Sequence, residues 1–190
     1  MTAQCATDYK HRAMNFSSDV RARSFFDLFA LPAVFNLEPR SLERAYRVVQ
    51  ARVHPDKFAA TSRAEQRQAA QWAALANEAY QTLKHPLLRA RYLVSLHGID
   101  PGAHAAPAAF LATQLEQREA VQEAKRARNL QALAELQRSL RHDIASQNET
   151  VARQLDVACD YTGAAQTVQM LQFLDKLATE INAALDALEN

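Results

Sequence analysis

The chain has 190 residues, and its 22 Lys+Arg nearly balance 21 Asp+Glu, for a formal net charge of +1. That balance argues against wholesale nucleic-acid binding, and a 48% hydrophobic content argues against global disorder. Only 3 Gly stand against 38 Ala, which points to an all-α chain and away from Rossmann or P-loop enzymes, where glycine must meet phosphate.

Residues 1–23 carry no apolar run behind a basic segment, so no secretory signal is expected, and Asp8 and Asp19 argue against a mitochondrial transit peptide. They are expected to form a flexible N-terminal extension. Cys5 and Cys159 lie far apart, belong to no CxxC pair and have no His at ligand spacing. Both are expected as free thiols, with no metal site. No stretch approaches the roughly 18 apolar residues a spanning helix needs.

The first helices are short. Ser24 is placed to cap a helix over 25–29 that ends before Pro32, and Pro39 suits the first turn of the next. In that second helix Leu42, Ala45, Tyr46, Val49 and Val53 share one stripe at about 100° per residue, while Arg40, Arg44 and Arg47 lie opposite, on a face expected to carry one sign. Pro55 must stop it. Ser62 with Glu65 forms a capping box for a long helix running to about Lys84, with Trp72, Ala76, Ala79, Tyr80 and Leu83 as its buried stripe. A further helix is expected over 87–97. The two long helices form a hairpin.

Gly98-Ile99-Asp100-Pro101-Gly102 is a turn cluster at which the charge changes sign, from net +4 over 24–97 to net −5 over 98–190. A domain boundary is therefore placed here, with 98–106 as linker. Three helical patterns follow, over 107–128, 129–159 and 163–188, the last with Leu171, Leu174, Ala178, Ile181 and Leu185 on one stripe. They predict a C-terminal three-helix bundle over 107–190. On its first helix Phe110, Gln114, Val121 and Arg128 share a stripe. Leu111 and Leu115 lie about 100° round from it, with Glu116, Glu119 and Glu123 beyond. Phe173 sits about 90° off the core axis of the last helix. Exposed leucines and an off-axis aromatic with an acidic rim are a candidate protein-binding surface.

The sharpest motif is His54-Pro55-Asp56-Lys57, between the two long helices. Behind a helix with a basic outer face, it resembles the J-domain, the module by which DnaJ-type co-chaperones activate seventy-kilodalton heat-shock ATPases. Phe26-Asp27-Leu28-Phe29-Ala30-Leu31-Pro32, Phe58, Lys84-His85-Pro86-Leu87-Leu88-Arg89-Ala90-Arg91-Tyr92-Leu93, Phe110-Leu111, Gln114-Leu115-Glu116 and Phe173-Leu174-Asp175-Lys176-Leu177 narrow the match. Over about 24–188 the chain resembles the HscB family, J-domain co-chaperones of iron–sulfur cluster assembly.

The resemblance implies a bacterial, cytoplasmic protein that is not an enzyme and needs no cofactor. It implies two partners, a DnaK-type chaperone ATPase and an iron–sulfur scaffold protein. It assigns His54, Pro55, Asp56, Lys57, Arg40, Arg44 and Arg47 to the chaperone. Leu111, Leu115, Glu116, Glu119, Glu123 and Phe173 go to the scaffold. Two features depart from the family. The paired CxxC zinc site of some members does not carry over, because Cys5 stands alone. Position 112 is Ala where a larger apolar residue is expected, which trims the apolar patch. Competing readings are an enzyme using His54 and Asp56, a self-associating helical scaffold, and a J-domain co-chaperone for another client. No nucleophile or oxyanion motif accompanies His54 and Asp56, which disfavours the enzyme.

Overall fold

The computed structural model describes residues 24–58, 61–103 and 105–189. The expectations for 1–23, Cys5 included, lie outside the described residues. In chain order the helices are α1 (Phe25–Leu28), α2 (Pro39–Val53), α3 (Arg63–Lys84), α4 (Pro86–Leu96), α5 (Ala108–Arg126), α6 (Leu130–Arg153) and α7 (Tyr161–Glu189). Pro55–Phe58 and Pro101–Ala103 are 3-10 turns, Gln154–Ala158 is π-helical, and no strand occurs among the described residues. The chain divides into two compact units, one ending at Leu96 and the other beginning at His97.

In the first unit the helix starts follow from their capping residues. The Ser24 hydroxyl accepts from the Asp27 N–H while the Asp27 carboxylate accepts from the Ser24 N–H, and Ser62 and Glu65 repeat the arrangement at α3. Each box satisfies two backbone donors that the helix leaves orphaned. Pro39 opens α2, and the Glu38 carboxylate accepts from the N–H groups of Arg40 at 2.9 Å and Ser41 at 2.6 Å. Phe26, Leu42, Val49, Val53, Ala76, Ala79 and Leu83 are buried together with Ala90, Leu93 and Val94 of α4. Trp72 and Tyr80, expected in the stripe, are half-buried. Tyr80 stacks on Tyr46 with centroids 4.2 Å apart, and Phe29 meets Tyr46 edge-on at 6.3 Å. Phe25 stacks on Tyr92 and its N–H donates to the Tyr92 hydroxyl at 2.8 Å, tying α1 to α4. Arg89 is buried, its guanidinium 5.2 Å over the Phe35 ring.

The second unit is the three-helix bundle. Val121, Ala124, Leu133, Leu140, Leu174, Leu177, Ile181 and Ala184 form its core. Arg128 does not share the α5 stripe. It lies past the helix end with φ 49°, exposed, where the chain turns into α6. The Arg128 N–H donates to the Lys125 carbonyl and the Asn129 N–H to the Ala124 carbonyl, a Schellman ending. Ala30 plays the same part after α1: it has φ 50°, and the Ala30 and Leu31 N–H groups donate to Asp27 and Phe26. Within 98–106, Pro101 is buried, and its carbonyl accepts from the Gln169 amide of α7.

The helix expected over 129–159 widens into the π-turn after Arg153 and stops at Cys159, which has φ 52°. Cys159 is disulfide-bonded, which corrects the expectation of a free thiol. Asp160 then caps α7: its carboxylate accepts from the Gly163 N–H at 2.9 Å and its carbonyl from the Ala164 N–H at 2.9 Å. A Cβ at Gly163 would lie 2.1 Å from the Asp160 carboxylate and 3.0 Å from the Gln154 amide. Gln154 also accepts from the hydroxyl of buried Thr167 at 2.9 Å.

Gly163→Ala must therefore push the Asp160 carboxylate out of its capping position. A lost N-cap costs about 0.5–2 kcal/mol. A lower urea midpoint by far-UV circular dichroism is expected, with Trp72 fluorescence unmoved, because the single Trp reports the other unit.

Candidate functional site

Two surfaces were singled out by sequence, one in each unit. The first is built where α2 must end. His54 follows the last residue of α2 with φ −59° and ψ 130°, outside the helical region, as its proline neighbour demands. The backbone tightens into the 3-10 turn, the Lys57 N–H donating to the His54 carbonyl at 3.0 Å. The Asp56 N–H reaches His54 Nδ1 at 3.4 Å, and the Asp56 carboxylate lies 3.5 Å from the same nitrogen. Buried Val53 and half-buried Phe58 bracket the segment, and the Phe58 carbonyl accepts from the Thr61 N–H and hydroxyl.

The functional groups between them point outward. The Asp56 side chain is 89% exposed and that of His54 54%. Lys57 is also exposed. Among the described residues no three His, Cys, Asp or Glu side chains gather as metal ligands.

Arg40, Arg44 and Arg47 all lie exposed on α2. The expectation that this face carries one sign is corrected. Arg47 pairs with Glu43 one turn away, and Arg44 lies 3.7 Å from the Glu38 carboxylate. The i,i+4 spacing brings Glu43 to Arg47, and the N-cap role of Glu38 turns its carboxylate along the helix toward Arg44. Such exposed pairs contribute only about 0–1 kcal/mol, so they exchange readily for another carboxylate. The Ser41 hydroxyl above all holds the Glu38 carboxyl below its usual range; desolvation opposes it, and the Arg40 and Ser41 N–H groups and the Arg44 charge add to the lowering. The Ser62 hydroxyl and N–H do the same for Glu65.

The second surface lies in the bundle. Leu111 is 42% exposed, Leu115 60% and Phe173 39%. Phe110, which the sequence placed in the core stripe, is half-buried, and its ring lies 6.3 Å from that of Phe173. It links the α5 leucines to the α7 aromatic. Glu116, Glu119 and Glu123 are exposed, and Glu123 pairs with Arg126 at 3.0 Å. Ala112 is exposed beside Leu111. Sequence reasoning missed Glu180 of α7. Its carboxylate receives the Gln122 amide, Lys125 Nζ at 3.4 Å and Arg118 Nε at 3.8 Å, clamping α5 to α7. No local pattern marks it, because all three partners are more than fifty residues away.

Residues 106–182 match the family model described as the HSCB C-terminal oligomerisation domain. A co-chaperone protein HscB homolog of Burkholderia multivorans is 47% identical over 169 residues, covering 87% of this chain and 96% of the relative. The chain belongs to the HscB co-chaperone family. An HscB homolog of Paraburkholderia phytofirmans is 45% identical over 170 residues, covering 88% of this chain and 97% of its own. Among solved structures, the chaperone HscB of Vibrio cholerae superposes with a TM-score of 0.78 at 35% identity, over 87% of this chain and 99% of that one. Human co-chaperone HscB gives 0.81 at 24% identity, over 87% and 84%, which speaks for the fold alone. HscB membership makes the helical first unit a J-domain and the second the family's C-terminal bundle.

Because the Glu38 and Glu65 carboxyls are held lower in the folded chain, their capping is present above the ordinary value of 4.5 and is lost as pH falls through the lowered one. The backbone amide shifts of Arg40, Ser41 and Ser62 are expected to titrate in NMR with midpoints below 4.5. Midpoints at or above 4.5 would show that the caps do not form.

Proposed function

We propose that this chain performs no chemistry of its own, stimulates the ATPase of a DnaK-type chaperone, and brings the iron–sulfur scaffold protein to it. The observation that carries this reading is the His54-Pro55-Asp56 turn, held by backbone bonds at the tip of a helical hairpin with its polar groups in water. A turn of that kind is suited to being read by another protein. Asp56 can accept a charge-assisted, bidentate hydrogen bond from an arginine of the chaperone. Pro55 fixes the backbone that carries its neighbours. Arg40, Arg44, Arg47 and Lys57 supply attraction to an acidic surface and act mainly on encounter rate.

The client half of the proposal rests on Leu111, Leu115 and Phe173. Three large apolar side chains left exposed, beside three glutamates, have the composition of an interface core with a polar rim. Among the described residues no helix is long and apolar enough to cross a membrane. We place the protein in the bacterial cytoplasm, with its ATP-consuming partner.

His54→Ala and Asp56→Ala are each expected to abolish stimulation of the chaperone ATPase in a steady-state assay. The melting temperature should stay near that of the parent, because exposed substitutions usually fall within about ±0.5 kcal/mol. Normal stimulation by either variant would remove the chaperone reading.

Leu111→Ala/Leu115→Ala/Phe173→Ala is expected to weaken scaffold binding in calorimetry by at least about a hundredfold. Each side chain contributes up to roughly 1.5–3 kcal/mol if a partner fully buries it. Scaffold-independent ATPase stimulation should persist. A folded triple variant that binds the scaffold like the parent would place the interface elsewhere.

A further inference from the structure

On the other side of the acidic ridge from Leu111 and Leu115, α5 and α6 leave an open groove of about 690 Å³. Ala120, Ala124 and Ala127 of α5 and Ala132 and Leu136 of α6 line it. Short side chains on both helices hold the groove open where larger ones would close it. Glu123 and Glu135 line it from the two helices, and no cationic side chain is among its lining residues. Both carboxylates are exposed. The Glu123 contact with Arg126 is a surface pair with both side chains more than 70% exposed, so an incoming cation can replace it. Glu135 accepts only a long bond from the Gln131 amide, 3.3 Å, among the described residues.

We propose that this groove seats a Lys- or Arg-bearing segment of the same partner that docks on Leu111 and Leu115. The aliphatic stem lies along the alanine floor and the cation between Glu123 and Glu135. The proposal rests on the reading of the leucine surface as the client site and extends it round α5. Two observations choose this occupant. The first is charge: an apolar floor with a carboxylate from each helix suits a long side chain that is apolar along its stem and positive at its tip. The second is continuity. At about 100° per residue, Leu115, Glu119, Glu123 and Ala120 follow one another round the outward face of α5 within an arc of about 140°. A single partner segment crossing α5 therefore meets leucine, glutamate and groove in turn. Glu123 belongs to both the ridge and the groove.

The test is calorimetry of the full chain with the iron–sulfur scaffold protein of the same organism, at two salt concentrations. The variants are Glu135→Lys, Ala120→Leu and, as the reference for the leucine surface, Leu115→Ala. Glu135→Lys reverses a charge on α6 outside the leucine surface. It is expected to raise the Kd about tenfold and to flatten its salt dependence. Ala120→Leu is expected to raise the Kd by filling the groove, and keeps the proposal falsifiable should the charge reversal unfold the bundle. If Leu115→Ala weakens binding while both groove variants bind like the parent, the groove proposal is overturned and the client surface stands. If all three bind like the parent, the client reading itself fails and takes the groove proposal with it. If Glu135→Lys changes self-association in sedimentation but not the scaffold Kd, the occupant is a second copy of this chain and the proposal is overturned.

Discussion

The face-to-face contact of Tyr46 with Tyr80 is the fixed point of the J-domain. It joins the middle of α2 to the last turns of α3, Phe29 closes it from the end of α1, and the Gln50 amide donates to the Tyr46 hydroxyl at 2.7 Å. Stacked aromatic pairs contribute about 0.5–1.5 kcal/mol beyond their burial, and they fix rotation as well as distance. Two turns further along α2, Val53 is buried, and on α3 Ala69 is buried as well. The helices are thus held together up to the point where Pro55 ends one of them. The turn beyond needs little packing of its own, so its polar groups stay in water. A loosened stack would let the turn's two anchors drift apart.

Much of this was legible because it is written locally. Capping boxes span four residues: Ser62/Glu65 formed as the spacing requires, and Ser24 caps α1 as expected, with Asp27 completing a second box. Proline positions set the helix ends at 39, 55 and 86. The 3.6-residue period separated buried Leu42, Val49 and Val53 from the exposed arginines. What escaped was written at long range or in the wrong currency. Glu180 meets α5 only through the bundle. Arg128 satisfies the α5 period but lies two residues past the helix end, so its angle had no meaning. The arginine face looked one-signed because side-chain angle was weighed and side-chain reach was not. Glu43 lies off the arginine axis, yet its carboxylate reaches Arg47.

The bundle shows how an exposed apolar patch is kept without collapse. Phe110 meets Phe173, while Gln122 and Lys125, further along α5, meet Glu180, further along α7. The two helices therefore run in the same direction, with α6 returning between them. The polar clamp spends no apolar surface, so Leu111 and Leu115 need not turn inward to hold α5 in place. That division of labour, apolar groups outside and a carboxylate hub holding the helices, gives the second unit a surface that is both sticky and ordered.

Three of the described helix endings, at Ala30, Arg128 and Cys159, place ordinary residues where glycine is usual. Ala30 and Arg128 close α1 and α5 in the left-handed conformation, as Gly98 does after α4. Each Cβ there costs roughly 1–2 kcal/mol against a net stability of about 5–15 kcal/mol for a domain. The fold therefore operates below the stability its own backbone allows. Ala30 and Arg128 are single-site reserves, at which a change to glycine exchanges steric strain for a smaller loss of chain entropy. A lineage exposed to higher temperature has room to adjust there without altering His54, Asp56, Leu111, Leu115 or Phe173.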